Sequence, residues 1–227
     1  MKITVTKKRT GKKDIIILVS AWGTPKFIFN KIKHKIPKNF GYIHYHYTYD
    51  ILNTDPYLTK RYFLKLMNKM VKDLKLLNKK RKRNFYSYAQ SLGGVFAAYL
   101  LDKIDIKKSV FILPGDNLAD CVLNGKETLK IKNEMEKNKI TLKKLKKLLK
   151  EISQDTHFKN KAKNVKYYIK LSVNDNVVPY KNGLKLIKIF KKKNFTFELY
   201  KGRLLHKAMC LYEALFPEKT IEFLTRN

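Results

Sequence analysis

The sequence has 227 residues, of which 44% are hydrophobic and 12% aromatic, so it predicts one globular domain with a sizeable core and excludes a disordered chain. The net charge of +33 raises the question of an acidic partner, such as nucleic acid or a membrane surface. The lysines are spread over nearly every segment, and the basic run 79–83 is interpreted as a solvated loop. We therefore favour a compositional bias of the kind an AT-rich genome produces, with loose association with acidic partners expected in either case.

Cysteine content and hydropathy bear on the compartment. Cys121 and Cys210 are too few for a disulfide framework, which favours a reducing compartment. The longest apolar runs, 15–22 and 92–101, are shorter than the ~20 residues that span a bilayer. The basic N-terminus followed by 15–22 imitates a short signal peptide, but Asp14 interrupts the junction. Because 15–22 is also needed as a central strand, we predict a cytoplasmic protein without a transmembrane segment.

The first part of the chain alternates strands with helices. Residues 2–6 predict an edge strand, and the β-branched run 14–19 predicts a strand buried on both faces of a parallel sheet. A tyrosine-rich strand is predicted at 41–49, where His44 and His46 point to one face. No carboxylate or cysteine accompanies them at ligand spacing, so we favour polar packing over a metal site.

The chain is organised around residues 84–101, NFYSYAQSLGGVFAAYLL. This stretch predicts a buried strand, a tight turn at Ser91 and then a helix. Ala89 and Gly93, two residues before and after the serine, are small, as required where a strained turn projects a hydroxyl above a sheet. A plain strand-to-helix turn is the alternative, because S-x-G alone is a weak signal.

The rest of the chain predicts three more strands and one long helical segment. The strands fall at 109–113, 165–171 and 196–200. Between the first two, residues 117–157 have helix signals and little strand signal, and about 40 residues is long for a connection between parallel strands. We therefore predict a core formed by residues 1–115 and 158–227, with residues 116–157 inserted as a helical cap; ordinary crossover helices are the alternative.

An acid and a histidine each follow a predicted strand in this second part. Asp175 lies in N-D-N-V-V-P and His206 in L-L-H-K-A-M. Since the carboxyl ends of parallel strands meet at one edge of a sheet, Ser91, Asp175 and His206 are expected to converge there. A turn aspartate and a surface histidine are the plainer interpretations. Three other residues are the reserve acids and base: Asp116, Asp155 and His157.

The three motifs, in the order Ser91, Asp175, His206, resemble those of the α/β-hydrolase superfamily over nearly the whole chain. The resemblance implies an α/β-hydrolase fold: a mostly parallel sheet with helices on both faces and a small helical cap. It also implies a catalytic triad of nucleophile, acid and base in that order. Ala89 departs from the usual G-x-S-x-G pattern, though alanine is the next smallest residue.

The resemblance further implies an oxyanion hole formed by backbone N–H groups. By position these belong to Trp22, in the loop after strand 14–19, and to Leu92, next after the nucleophile. Here S-A-W-G stands where the superfamily carries H-G-x-G, which is a departure at the first of the two donors. No cofactor and no metal are implied.

The function implied is that of a serine hydrolase cleaving a carboxylic ester or thioester through an acyl-serine intermediate. The A-W-G loop and S-L-G-G elbow also resemble pimeloyl-carrier-protein methyl esterases, so the substrate is expected to be a small-molecule or carrier-linked acyl ester. Acyl transfer by the same triad is one alternative. The other is a catalytically silent α/β-hydrolase-fold protein that binds acidic partners such as nucleic acid through its basic surface.

Overall fold

A computed structural model of the chain describes residues 1–226, apart from the side chains of residues 160 and 161. Its centre is a sheet of seven strands. The strands are β1 (Ile3–Lys8), β2 (Asp14–Val19), β3 (Phe40–Tyr47), β4 (Asn84–Gln90), β5 (Ile106–Ile112), β6 (Lys166–Ser172) and β7 (Phe197–Gly202).

The strand order across the sheet is β1-β3-β2-β4-β5-β6-β7. Strand β1 pairs with β3 in antiparallel orientation at one edge, and every other neighbouring pair is parallel. The predicted mostly parallel sheet is therefore confirmed, and β1 is an edge strand. Because six strands share one direction, the loops after β2, β4, β6 and β7 all emerge at the same edge of the sheet.

Helices cover both faces of this sheet, as predicted. The helices are α1 (Ile28–Lys35), α2 (Pro56–Lys80), α3 (Gly93–Lys103), α4 (Leu118–Asn124), α5 (Leu129–Lys137), α6 (Leu142–Leu149), α7 (Tyr180–Lys192), α8 (His206–Leu215) and α9 (Glu218–Thr225). Helices α2, α3 and α7 pack on one face of the sheet, and helices α1, α8 and α9 pack on the other.

The period-two geometry of strand β2 explains why its apolar run is continuous. Ile15, Ile17 and Val19 face the cluster under α2 and α3, while Ile16 and Leu18 face the cluster under α1, α8 and α9. All five side chains are fully buried. A strand between two helical layers needs apolar residues on both faces, so alternation with polar residues is absent.

Helices α4, α5 and α6 lie between β5 and β6, followed by short 3-10 turns at Lys150–Ile152 and Gln154–Thr156. The Asn117 and Thr141 side chains cap α4 and α6 by accepting hydrogen bonds from backbone N–H groups. The division into a core (1–115 and 158–227) and a cap (116–157) stays a prediction. Within residues 1–226, no helix combines the length and the apolar character needed to cross a membrane.

Candidate active site

Ser91 lies in the turn between β4 and α3 in a left-handed backbone conformation. Its φ is 50°, which non-glycine residues adopt only where the surrounding structure enforces it. Two hydrogen bonds hold the serine backbone in this conformation. The Ser91 N–H donates to the carbonyl of Ile112 on β5 (2.7 Å), and the Gly94 N–H donates to the Ser91 carbonyl (2.8 Å). The serine is thereby fixed at the carboxyl edge of the sheet.

Gly93 allows this turn to approach the end of β2. A Cβ atom on Gly93 would lie 2.7 Å from the carbonyl oxygen of Val19 and 2.8 Å from that of Ser20. Ala89, on the other side of the serine, is fully buried in β4. The small residues noted in the sequence are therefore explained by packing, with the tightest requirement at Gly93.

We expect Gly93→Ala to destabilise the protein by about 1–3 kcal/mol, because the new methyl group must displace the backbone of β2. The displaced segment leads directly into the loop of Trp22, so turnover of the ester or thioester expected from the sequence should fall as well. Thermal unfolding and turnover measure the two effects. Gly11→Ala is the matched control, since a Cβ there meets no atom within 4 Å; equal stability loss in both variants would contradict the packing argument.

Asp175 is held by the loop that follows β6. Its Oδ1 atom accepts hydrogen bonds from the N–H groups of Val177 (2.9 Å) and Val178 (2.8 Å). This loop is tied to the loop after β7, because Asn174 Nδ2 donates to the Arg203 carbonyl at 2.7 Å. The carboxylate and the residue that begins α8 are thus positioned against each other by neighbouring parallel strands.

The structure brings Ser91, His206 and Asp175 into one hydrogen-bonded chain. His206 Nε2 lies 2.8 Å from Ser91 Oγ, and His206 Nδ1 lies 2.8 and 2.9 Å from the two Asp175 carboxylate oxygens. The serine is 7% exposed and the histidine 5%. With Nδ1–H donating to the carboxylate, Nε2 is left as the acceptor of the serine proton, which is the arrangement of a nucleophile, a general base and an orienting acid.

The surroundings of His206 favour its protonated form. Burial of the ring lowers the pKa of His206, but Cys210, one helical turn later on α8, and the hydrogen-bonded Asp175 carboxylate raise it more. The net effect is a pKa above the usual value. An imidazolium formed by taking the serine proton is therefore stabilised where it forms.

Two backbone N–H groups near Ser91 are available to a ligand. Neither the Trp22 N–H nor the Leu92 N–H donates to a protein group in the part of the chain that the structure describes. The Trp22 side chain fixes its loop, since the indole Nε1–H donates to the Tyr49 carbonyl at 2.7 Å and the two rings stack at 4.2 Å. Donors held in place and open to a ligand atom are what an oxyanion hole requires.

Two cavities meet at Ser91, and Trp22 and Val177 also line both. The narrow cavity, about 50 Å³, extends from Leu92 toward residues 116–128 and 154. The wide cavity, about 340 Å³, extends along α8 from His206. The serine therefore has space on two sides, as a substrate with two arms around one carbonyl carbon needs.

The paired histidines of β3 lie apart from this site. His44 Nε2 is 2.8 Å and His46 Nδ1 is 3.4 Å from Ser20 Oγ, and the His44 ring stacks on Phe29 at 4.7 Å. Burial, followed by Lys33 and His46, lowers the pKa of His44 to about 2, which keeps it neutral. In residues 1–226, apart from the two omitted side chains, no group of three or more potential ligands could hold a metal ion.

The reserve residues have other partners. His157 Nδ1 lies 3.1 Å from Asp102, and Asp155 accepts a hydrogen bond from Asn117 Nδ2 at 3.3 Å. Asp116 lines the narrow cavity together with Gln154, a residue that no motif or spacing singles out. The sequence does indicate that Asp116 lies near the site, because Asp116 follows β5 at the sheet edge where the other site residues lie.

Comparison with solved structures identifies the fold. No protein-family model matches the sequence, and no curated protein sequence matches it. The chain is similar to an acylaminoacyl peptidase from Pyrococcus horikoshii (TM-score 0.66, 14% identity, 97% of this chain and 38% of that one). It is also similar to a lipase-esterase related protein from Clostridium acetobutylicum (0.58, 14%, 98% and 99%) and to a Bacillus cereus carboxylesterase (0.59, 12%, 99% and 94%).

These similarities differ in how much of the known chain they cover. This chain spans only about two fifths of the peptidase but nearly the whole length of the lipase-esterase related protein and the carboxylesterase. At 12–14% identity the likeness concerns the course of the backbone. Together with the seven-stranded, mostly parallel sheet and its helices on both faces, it shows that the chain has the α/β-hydrolase fold.

Proposed function

We propose that the protein is a serine hydrolase that cleaves a carboxylic ester or thioester through an acyl-serine intermediate. The observation that carries this proposal is the unbroken hydrogen-bonded chain from Ser91 Oγ through His206 to Asp175. Three side chains from distant parts of the sequence meet at hydrogen-bonding distance beside two cavities, and the serine among them lies on a strained turn. Structural similarity to a carboxylesterase and a lipase-esterase related protein supports the same reaction class.

The reaction follows from this geometry. His206 Nε2 takes the proton of Ser91 as Oγ bonds to the substrate carbonyl carbon, and the protonated ring then gives that proton to the departing alcohol or thiol. Water, deprotonated by His206, then bonds to the acyl carbon; the bond between that carbon and Ser91 Oγ breaks, Oγ takes the proton back from His206, and the carboxylic acid is released. Asp175 holds the ring in the required tautomer and stabilises its charged form.

The N–H groups of Trp22 and Leu92 are the proposed oxyanion hole. Both are free of protein acceptors within residues 1–226, and both residues line the narrow cavity together with Ser91. In the tetrahedral intermediate the carbonyl oxygen becomes negative, and each preorganised donor typically contributes about 3–4 kcal/mol to its stabilisation. Residues 116–157, proposed as the cap, supply much of the narrow cavity and would select among small-molecule or carrier-linked acyl esters.

The excess of 51 basic over 18 acidic side chains favours a second candidate function, the binding of acidic partners such as nucleic acid by a catalytically silent domain. Such binding should weaken steeply with salt, with a log–log slope of about 0.9 per neutralised phosphate of duplex DNA. Fluorescence anisotropy with a labelled duplex at several salt concentrations measures it.

Turnover of short-chain p-nitrophenyl esters and of matched thioesters tests the proposal. We expect saturable hydrolysis with a rapid first phase that corresponds to acylation of one serine per molecule. Product analysis with added alcohol or thiol acceptors separates hydrolysis from acyl transfer. A folded protein that hydrolyses none of these compounds, yet binds duplex tightly at moderate salt, would favour the binding function instead.

A further inference from the structure

The narrow cavity beside Ser91 is apolar over most of its wall, but its lining includes polar side chains that the proposed reaction does not use. Leu52, Leu118 and Val122 are among its apolar residues, and Asp116 and Gln154 are the two polar ones of interest. Both are nearly inaccessible to solvent, with 7% and 1% of their surface exposed. A buried polar group normally has a partner, so the hydrogen bonding of each is informative.

The Gln154 carboxamide is not satisfied by the protein. It lies over the first turn of α3, where a Cβ atom on Gly94 would be 3.3 Å from Nε2 and 3.4 Å from Oε1. Nε2 is buried and has no hydrogen-bond partner in the part of the chain described. A buried donor left in this state costs about 1–3 kcal/mol, so Nε2 is suited to an acceptor atom of a ligand, while Oε1 is the atom of this carboxamide that can accept from a ligand donor.

The Asp116 carboxylate has a neutral partner. One of its oxygens accepts a hydrogen bond from Asn182 Nδ2 at 2.8 Å. No lysine, arginine or histidine pairs with it within residues 1–226, the two omitted side chains aside. The contrast is Asp120, which lies 2.9 Å from Lys146 Nζ and 3.6 Å from Lys185 Nζ. A buried carboxylate without a counter-charge is unfavourable unless a cation is supplied from elsewhere.

The Asp116 carboxylate also acts on a neighbouring thiol. The Cys121 thiol, which also lines the cavity, has its pKa raised first by burial and then by the carboxylates of Asp116, Asp120 and Asp175, against a smaller opposing effect of Lys185. Asp120 is offset by its two lysines and Asp175 by His206, so Asp116 is the carboxylate of the three that favours a positive charge in the cavity.

The positions of the two cavities around Ser91 indicate which cavity holds the acyl group of the substrate and which holds the leaving group. His206 returns its proton to the leaving group and lines the wide cavity but not the narrow one, so the leaving group lies in the wide cavity. The narrow cavity, on the side of the Leu92 N–H, is left for the acyl group. At about 50 Å³, where one water needs about 10–15 Å³, it holds roughly four non-hydrogen atoms.

We propose that the narrow cavity is an acyl subsite for a short acyl group bearing an ammonium group, as in a glycyl or alanyl ester or thioester. The ammonium group would pair with the Asp116 carboxylate and donate a second hydrogen bond to Gln154 Oε1, the accepting atom of the carboxamide. The chemistry is unchanged: Ser91 Oγ bonds to the aminoacyl carbon, the bond to the leaving group breaks, and that group departs with the proton from His206. This inference rests on the proposed function and adds a substrate class to it.

The benzyl esters of alanine, lactate and isobutyrate test the inference, because they differ only in an ammonium, hydroxyl or methyl group on one carbon. The assay runs at pH about 6.5, below the pKa of about 7.7–8.0 of an α-amino group; protonation of His206, whose pKa is raised, lowers kcat/KM for the three esters by the same factor and leaves their ratios unchanged. For the wild-type protein we expect kcat/KM for the alanine ester to exceed that for the isobutyrate ester by about 100-fold.

Two variants locate the source of that preference. Asp116→Asn, which keeps the acceptor for Asn182, should lower kcat/KM for the alanine ester by about 30- to 100-fold and change the isobutyrate value less than about threefold. Gln154→Met, of similar shape, should lower the alanine value by about tenfold. Asp120→Asn is the matched control, a buried carboxylate that already has lysine partners, and should leave the ratio within about threefold.

The outcomes separate the two proposals. If the isobutyrate or lactate ester is the best substrate, or Asp116→Asn lowers all three values equally while the protein still unfolds at the wild-type temperature, the ammonium subsite is wrong and the esterase function stands. If none of the three esters is hydrolysed and Ser91 does not react with a fluorophosphonate, the proposed function itself fails.

Discussion

Ser91→Ala is expected to lower kcat/KM for ester hydrolysis by about 10⁴- to 10⁶-fold, the largest effect of any single change in this protein. The substitution removes only the hydroxyl, which lies 2.8 Å from His206 Nε2 at the apex of the turn. Without it no acyl-enzyme forms, and the residual rate reflects only the oxyanion donors and substrate binding. Stopped assays with a fluorogenic ester and long incubation, sensitive over about six orders of magnitude, measure the loss.

The stability of the Ser91→Ala variant is expected to be close to that of the wild-type protein. The alanine side chain of the Ser91→Ala variant would need the same left-handed φ as the serine, so the variant should unfold within a few degrees of the wild type. An equally stable variant that keeps more than one per cent of wild-type turnover would show that another residue is the nucleophile. Expression from a host lacking its own abundant esterases, followed by the same purification, guards against contaminating activity.

Asp175→Asn is expected to lower kcat by about 10⁴-fold with little change in KM. The carboxylate accepts the Nδ1–H of His206 and so leaves Nε2 free to take the serine proton. An asparagine amide in the same place donates a hydrogen bond to Nδ1, which moves the ring proton to Nε2 and removes the base. Because Oδ1 still accepts from Val177 and Val178, the loop should keep its conformation.

Asp155→Asn is the matched control for this variant. Asp155 is a reserve acid by its place in the sequence, but its carboxylate pairs with Asn117 and not with His206. We expect turnover within about threefold of the wild type, because the Asp155 carboxylate takes part in surrounding hydrogen bonds and not in the reaction. Steady-state kinetics of the two variants decide the assignment, and a larger loss from Asp155→Asn would make the acid assignment wrong.

The sheet and its convergent edge were predictable because their causes are local. The run at β2 is apolar on both faces, and the small residues around Ser91 follow from a turn that approaches β2 closely. Since Asp175 and His206 each follow a parallel strand, topology alone brings them toward the serine. The same local patterns therefore predict both the fold and the three side chains of the hydrogen-bonded chain.

Other features depend on tertiary packing and had no local signal. Lys170, in the middle of β6, forms a buried ion pair with Glu213 of α8, although both residue types are usually exposed. Gln154 reaches the narrow cavity from a short 3-10 turn whose position no periodic pattern sets. In both cases the contacting residues lie tens of residues away in the sequence, on elements that are positioned by tertiary packing.

The measurement that tests the central claim most directly is peptide mass spectrometry after reaction with a fluorophosphonate, which bonds to an activated serine hydroxyl. We predict one adduct per molecule, on the peptide that contains Ser91, and none on the Ser91→Ala variant. An adduct confined to a different serine, or a folded wild-type protein that stays unmodified at high probe concentration, would contradict the assignment of Ser91 as the nucleophile activated by His206.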